Sequence, residues 1–142
     1  MKKMSVILAG LLLAGSVQLA VAADNPSDYD QIGGKPVITK IVDGMVNRVA
    51  TDPRINSFFA NTNIPRLKML LVEQFCVETG GPCTYTGRSM SGAHKGMNVD
   101  SAQFNALVED LQWSLAENNI PIALGNRLLA KLAPMKKDVD HK

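Results

Sequence analysis

The sequence predicts an all-α domain built on four substantial helices. In four segments, apolar residues recur at spacings of three and four, as on one face of an amphipathic helix. Proline, glycine and asparagine separate these segments, and no run of useful length shows the alternation of a strand. We therefore expect four helices around one core.

The N-terminus has the pattern of a secretory signal peptide. Lys2 and Lys3 precede an apolar run from Val6 to Ala14, and Ala20-Val21-Ala22 supplies small residues for cleavage before Ala23. The run is shorter than the ~20 residues of a membrane span, so a retained anchor is the weaker alternative. We expect a cleaved segment 1–22, a domain 23–135 and a flexible charged tail 136–142, in a periplasmic or secreted protein.

The charge balance argues against polyanionic partners. The chain has 15 basic and 13 acidic side chains, and removal of Lys2 and Lys3 with the signal peptide leaves 13 of each. A protein that binds nucleic acid or anionic lipid usually carries a basic excess. We therefore expect no nucleic-acid partner and no membrane association of the mature chain.

The first two long helices follow from periodicity and their end signals. Pro36 is well placed to begin a helix whose apolar face runs from Val37 to Val49, and Thr51-Asp52-Pro53 ends it. The second begins near Asn63 and Pro65 and ends at Gly80-Gly81. Its apolar face carries one polar side chain, and its members are Leu67, Leu70, Leu71, Gln74 and Phe75.

The remaining helices lie after a glycine-rich stretch. Residues 82–98 predict a loop with one short helical piece near Ser89 to Ala93. Asp100 and Gln103 form a capping-box pattern that opens the third long helix. Pro121 begins the fourth, and Pro134 ends it.

The two cysteines fit an exported protein. Cys76 lies near the end of the second helix, and Cys83 follows Gly80-Gly81-Pro82, which turns the chain back. A local disulfide is favoured in an oxidising compartment, and two buried free thiols are the alternative.

Candidates for chemistry reduce to one histidine. The sequence has no Gly-x-Ser-x-Gly elbow, P-loop or His-Glu-x-x-His motif, and His141 lies in the predicted tail. His94 stands alone between helices. One imidazole is a structural residue in many proteins, but it suffices as a metal ligand where a planar cofactor supplies the others.

Three stretches together resemble the group 1 truncated haemoglobins. They read "YDQIGGKPVITKIVDGMVNRV", "DPRINSFFANTNIPRLK" and "GGPCTYTGRSMSGAHKGMNVDSAQFNALVEDL", and the resemblance runs from about Tyr29 to Pro134. It implies a truncated globin fold, a two-over-two α-helical sandwich around haem b. In that alignment His94 is the proximal iron ligand, and the residues expected on the haem are Phe59, Arg66, Lys68, Phe75, Tyr85 and Met90.

The resemblance breaks on the distal side. Positions where the family carries a tyrosine and often a glutamine read Val46 and Leu71, and the distal gate position reads Leu67. Two further residues lie nearby. Met45 is either a packing residue or part of the pocket, and Gln74 is either a residue at the helix edge or part of the pocket. Dioxygen at a haem iron carries partial negative charge, so loss of a neutral hydrogen bond weakens its retention by about 1 kcal/mol.

Function is therefore expected to be reversible binding of small gaseous ligands (oxygen, carbon monoxide and nitric oxide) at a haem with an apolar distal pocket. One alternative is redox enzymology, as a nitric oxide dioxygenase or a peroxidase-like enzyme, which needs a separate electron donor because nothing in the chain resembles a flavin or nicotinamide domain. A second alternative is a haem-free helical interaction module.

Overall fold

The computed structural model describes residues 25–142, so the predicted signal peptide 1–22 lies outside the described residues. The prediction of an all-α fold is confirmed, and the only β pairing in this part of the chain is an isolated bridge between Val99 and Asp140. The α-helices are α1 (Asp28–Ile32), α2 (Gly34–Val49), α3 (Ile64–Glu78), α4 (Met90–His94), α5 (Ser101–Glu117) and α6 (Ile122–Leu132). Two 3₁₀ segments cover Asn56–Phe59 and Ala133–Asp138.

Local capping interactions explain where the helices begin. The Asn63 side chain accepts a hydrogen bond from the backbone N–H of Arg66 at the start of α3, and Asp100 and Gln103 form a reciprocal capping box at α5. The expected start of α2 at Pro36 is two residues late. Gly33 adopts φ of 105°, which ends α1 and lets α2 begin at once, so that Pro36 falls within the first turn, where no N–H donor is needed.

The four long helices form a closed arrangement around one core. Helix α2 packs against α3 and α5, and α6 packs against the same two helices. The most deeply buried apolar side chains belong mainly to α2, whose inward face includes Ile38, Ile41, Val42, Met45, Val46 and Val49. Helix α2 therefore lies at the centre of the fold and lines part of the space that the helices enclose.

Charged side chains fasten the corner after α2 to α5. Arg54 binds the Asp52 carboxylate and forms an ion pair with Glu109 on α5, and the Arg54 guanidinium lowers the pKa of Asp52 to about 2. Arg48 donates from Nε to the buried Asp110 carboxylate at 2.8 Å, while burial raises the pKa of Asp110. These contacts fix the corner that carries the 3₁₀ segment Asn56–Phe59.

A disulfide joins the end of α3 to the loop that follows it. Cys76 is fully buried and is bonded to Cys83, with 5.9 Å between their Cα atoms. The backbone N–H of Tyr29 donates to the Thr79 carbonyl at 2.8 Å, which holds the same reversal against α1. The chain leaving α3 is thereby directed towards α4.

The C-terminal segment differs from the expected flexible tail at 136–142. The 3₁₀ segment continues to Asp138, Val139 is buried, and the bridge to Val99 follows. The backbone N–H groups of Asn98 and His141 donate to the carbonyls of Lys142 and Val99. The charged composition gave no sign that Val139 would be buried or that these backbone hydrogen bonds would form, because both require the folded chain.

No helix among residues 25–142 is both long and apolar enough to cross a membrane.

Candidate functional site

A cavity of about 480 Å³ lies between the long helices and the C-terminal segment. Its walls are mostly aliphatic, aromatic and thioether side chains, and the polar ones are Gln74, His94, Asn105, Gln112 and Lys136. The volume lies within the usual range for small-molecule and cofactor sites, roughly 300–1,000 Å³, and a few polar groups in apolar walls are also typical of them.

His94 is the side chain in these walls best suited to bind a metal. It is the last residue of α4, a short helix whose Ser89 cap accepts from the backbone N–H of Gly92. Its Nδ1 lies 2.7 Å from the Met90 carbonyl oxygen. Because a carbonyl only accepts, Nδ1 must carry the proton, which leaves the Nε2 lone pair free to bind a metal.

The described part of the chain offers His94 no companions for a metal cage. Within residues 25–142 there is no group of three or more histidine, cysteine, aspartate or glutamate side chains that could hold an ion. A single imidazole in an apolar cavity matches a haem site, in which the porphyrin supplies the other nitrogen ligands. The residues present therefore fit the cofactor that the resemblance implies.

Six of the residues predicted for the site line this cavity together: Met45, Leu71, Gln74, Phe75, Met90 and His94. Phe59 lines a smaller neighbouring cavity of about 40 Å³, which shares His94, Phe104 and Leu107 with the larger one. The structure thus brings His94 and several of the other residues expected at the site into one region.

Two residues predicted for the distal pocket are not among the cavity walls. Val46 is buried within the core face of α2, and Leu67 is partly buried near the start of α3. Met45, one position before Val46, faces the cavity instead. Successive side chains on an α-helix point about 100° apart, so Met45 and Val46 face different directions.

Arg66, Lys68 and Tyr85, which were also expected on the haem, do not line the cavity, and two of them have other partners in the structure. Lys68 forms an ion pair of 2.9 Å with Asp43 on α2. The Tyr85 hydroxyl donates to the Arg88 carbonyl at 2.9 Å, and burial raises the pKa of Tyr85. Arg66 is exposed at the start of α3 and does not line the cavity. Their contact with a cofactor stays a prediction.

Several cavity residues were not assigned to the site from the sequence. They lie on α5, α6 and the C-terminal segment, and include Phe104, Leu107, Val108, Leu111, Leu129, Leu132, Met135 and Lys136. The helical ones were visible as apolar faces, but such faces look the same whether they pack on a core or on a ligand. For Met135, the available signal was an apolar side chain directly after Pro134.

Comparison with known proteins adds family information to this geometry. Residues 27–141 match the model of the family described as Bacterial-like globin. The group 1 truncated haemoglobin of Mycolicibacterium paratuberculosis is 32% identical over 117 residues, which cover 82% of this chain and 86% of that protein. The group 1 truncated haemoglobin of Tetrahymena pyriformis is 30% identical over 111 residues, covering 78% of this chain and 92% of that protein.

Solved structures give the same result for the fold. The crystal structure of truncated haemoglobin from Tetrahymena pyriformis in the Fe(III) form superposes with a TM-score of 0.79 at 29% identity, covering 82% of this chain and all of that one. A 2/2 haemoglobin from a Synechococcus species, in the cyanomet state with covalently attached haem, gives a TM-score of 0.75 at 27% identity. That match covers 80% of this chain and 98% of the Synechococcus chain.

Proposed function

We propose that this protein binds haem b through His94 and takes small gaseous ligands on the opposite face of the haem. The premise is its family: the chain belongs to the bacterial-like globins and is a group 1 truncated haemoglobin. Haem is the cofactor of this family, and bound haem supplies the iron at which such ligands bind. The observation that carries the assignment of His94 is the contact of its Nδ1 with the Met90 carbonyl.

The residues of the chain orient the imidazole and exclude water. Met90 fixes the ring through its carbonyl, so that Nε2 is the nitrogen left for the iron. The apolar walls contributed by α3, α5 and α6 favour the apolar surface of a planar macrocycle over water. Haem inserted between these helices would bury its ring and leave His94 as the one protein ligand on its side.

The ligand side is proposed to be apolar. Met45 and Leu71 line the cavity, and neither side chain has a strong hydrogen-bond donor. Carbon monoxide and nitric oxide need no donor for binding, whereas dioxygen is held more tightly when one is present. The protein is therefore proposed to bind oxygen weakly and the other two gases without this penalty.

Redox turnover at the same haem remains the alternative function raised by the sequence. Dioxygenation of nitric oxide or a peroxidase-like reaction would need electrons from a reductase or a reducing substrate. We propose that any such donor is a separate partner.

We also propose that the mature protein acts in the periplasm or outside the cell. The N-terminal pattern of residues 1–22 supports export, and the disulfide between Cys76 and Cys83 is of a kind that persists in oxidising compartments. Mass spectrometry of the protein purified after expression of the full chain in a bacterium should give a mature N-terminus at Ala23. A chain that keeps Lys2 and Lys3 would contradict the proposal.

Removal of the proposed iron ligand should abolish stable haem binding. His94→Gly is expected to lose most haem absorption, and added imidazole is expected to restore it by filling the vacated position. His141→Ala is the matched control, because His141 is the other histidine of the chain and is exposed near the C-terminus. A His94→Gly variant that retains haem as well as wild type would refute the assignment.

A donor introduced into the ligand pocket should slow the release of oxygen. Leu71→Gln places an amide where Leu71 faces the cavity, and one neutral hydrogen bond of about 1 kcal/mol corresponds to a roughly fivefold slower dissociation. Leu71→Met is the control, since it keeps similar bulk without a donor. Flash photolysis measures both rates, and equal oxygen dissociation in the two variants would contradict the proposed apolar pocket.

A further inference from the structure

The amide of Gln74 lies between the sulfur atoms of two methionines. Its Nε2 is 3.1 Å from Sδ of Met135 and 3.8 Å from Sδ of Met90. Gln74 belongs to α3, Met90 begins α4, and Met135 lies in the 3₁₀ segment Ala133–Asp138. One amide group of α3 therefore contacts the two other elements that meet this helix at the cavity.

This arrangement satisfies a polar group in a wall that is otherwise mostly apolar. A primary amide has two N–H donors, and thioether sulfur is a weak acceptor that also packs like a methylene group. Both donors of Gln74 have a sulfur within reach. Replacement of either partner by a hydrocarbon side chain would leave a donor without that acceptor, which disfavours the folded arrangement.

The contact with Met90 connects Gln74 to the proximal histidine. The Met90 carbonyl binds His94 Nδ1 at 2.7 Å, while the Met90 side chain extends to the Gln74 amide. Met90 thus joins the imidazole to α3, the helix on the other side of the cavity. A shift of Met90 would move the carbonyl that sets the orientation of the ring.

The contact with Met135 connects Gln74, through the C-terminal segment, to the loop that follows His94. Beyond Met135, Val139 is buried and the backbone of His141 donates to the Val99 carbonyl. The C-terminal segment therefore passes from the cavity wall to the loop behind α4. Its position depends on Met135 at one end and on this backbone pairing at the other.

We propose that Gln74 is a positioning residue, which holds α4 and the C-terminal segment against α3 through the sulfur atoms of Met90 and Met135. It thereby keeps the His94 imidazole aligned and slows the escape of haem. The inference rests on the proposed ligation of haem by His94. It assigns the Gln74 amide to the protein framework, so the amide is not the donor that compensates for the apolar residues of the ligand side.

A double-mutant cycle on the full-length haem protein tests this inference. The variants are Gln74→Leu, Met135→Leu and the combination, each similar in size to the residue that it replaces. Gln31→Leu is the matched control, because Gln31 is an exposed glutamine on α1 that does not line the cavity. Haem transfer to excess apomyoglobin gives the rate of haem loss, and resonance Raman spectra give the iron–histidine stretch of the ferrous form and the C–O stretch of the carbon monoxide form.

We expect Met135→Leu to speed haem loss roughly fivefold, as loss of one neutral hydrogen bond predicts, and Gln74→Leu at least as much, because it removes both sulfur contacts. The double variant should lose haem no faster than the Gln74→Leu variant, because the two residues act through one contact. Gln74→Leu should also shift the iron–histidine stretch and leave the C–O stretch unchanged. Gln31→Leu should match wild type in all three measurements.

When the Gln74→Leu variant folds, any of three results would overturn the inference. One is haem loss and an iron–histidine stretch of Gln74→Leu that equal those of wild type. Another is a double variant whose rate is the product of the two single effects, which would mean that the residues act independently. The third is a shift of the C–O stretch in Gln74→Leu but not in Met135→Leu, which would make Gln74 a ligand contact.

If Gln74→Leu fails to fold, a Met135→Leu variant with wild-type haem loss also refutes the inference. Wild-type protein that takes up no haem would instead refute the proposed function.

Discussion

The hydrogen bond between His94 Nδ1 and the Met90 carbonyl is the contact on which the site depends. It determines the tautomer of the ring, and it leaves Nε2 as the nitrogen that can bind iron. Helix α4 has only five residues, so the remaining structure must hold it in place. The disulfide between Cys76 and Cys83 directs the chain towards it, and the C-terminal segment packs against it from the other side.

The cavity walls complement this one polar contact. Helices α3, α5 and α6 turn apolar faces towards a space of about 480 Å³, and the charged contacts of Arg48, Asp52 and Arg54 lie at the corner after α2. A haem site needs this separation, because an apolar pocket keeps water from the iron while charged groups stabilise the surrounding framework. In the proposed function, the ligand chemistry depends on the side chains expected opposite His94, and Leu71 and Met45, which line the cavity, offer no strong donor.

Local signals account for what the sequence predicted well. Helix starts at Asn63 and Asp100 follow from side chains that cap their own helix, so neighbours in sequence suffice to find them. The contacts of the C-terminal segment could not be predicted, because the buried Val139 and the backbone pairing with Val99 depend on partners far away along the chain. For the same reason the ion pair of Lys68 with Asp43 could not be foreseen, and the apolar pattern of α2 did not show that Met45 faces the cavity while Val46 packs in the core.

The central claim is that His94 is the one protein ligand of a haem with an open, apolar ligand side. Absorption spectra of the purified full chain in the ferric, ferrous and carbon monoxide forms test this claim most directly. The account predicts a five-coordinate ferrous haem, which carbon monoxide converts completely to a six-coordinate form with histidine as the other axial ligand. Absence of haem absorption after haem is added, or a six-coordinate ferrous form before any gas is added, would contradict it.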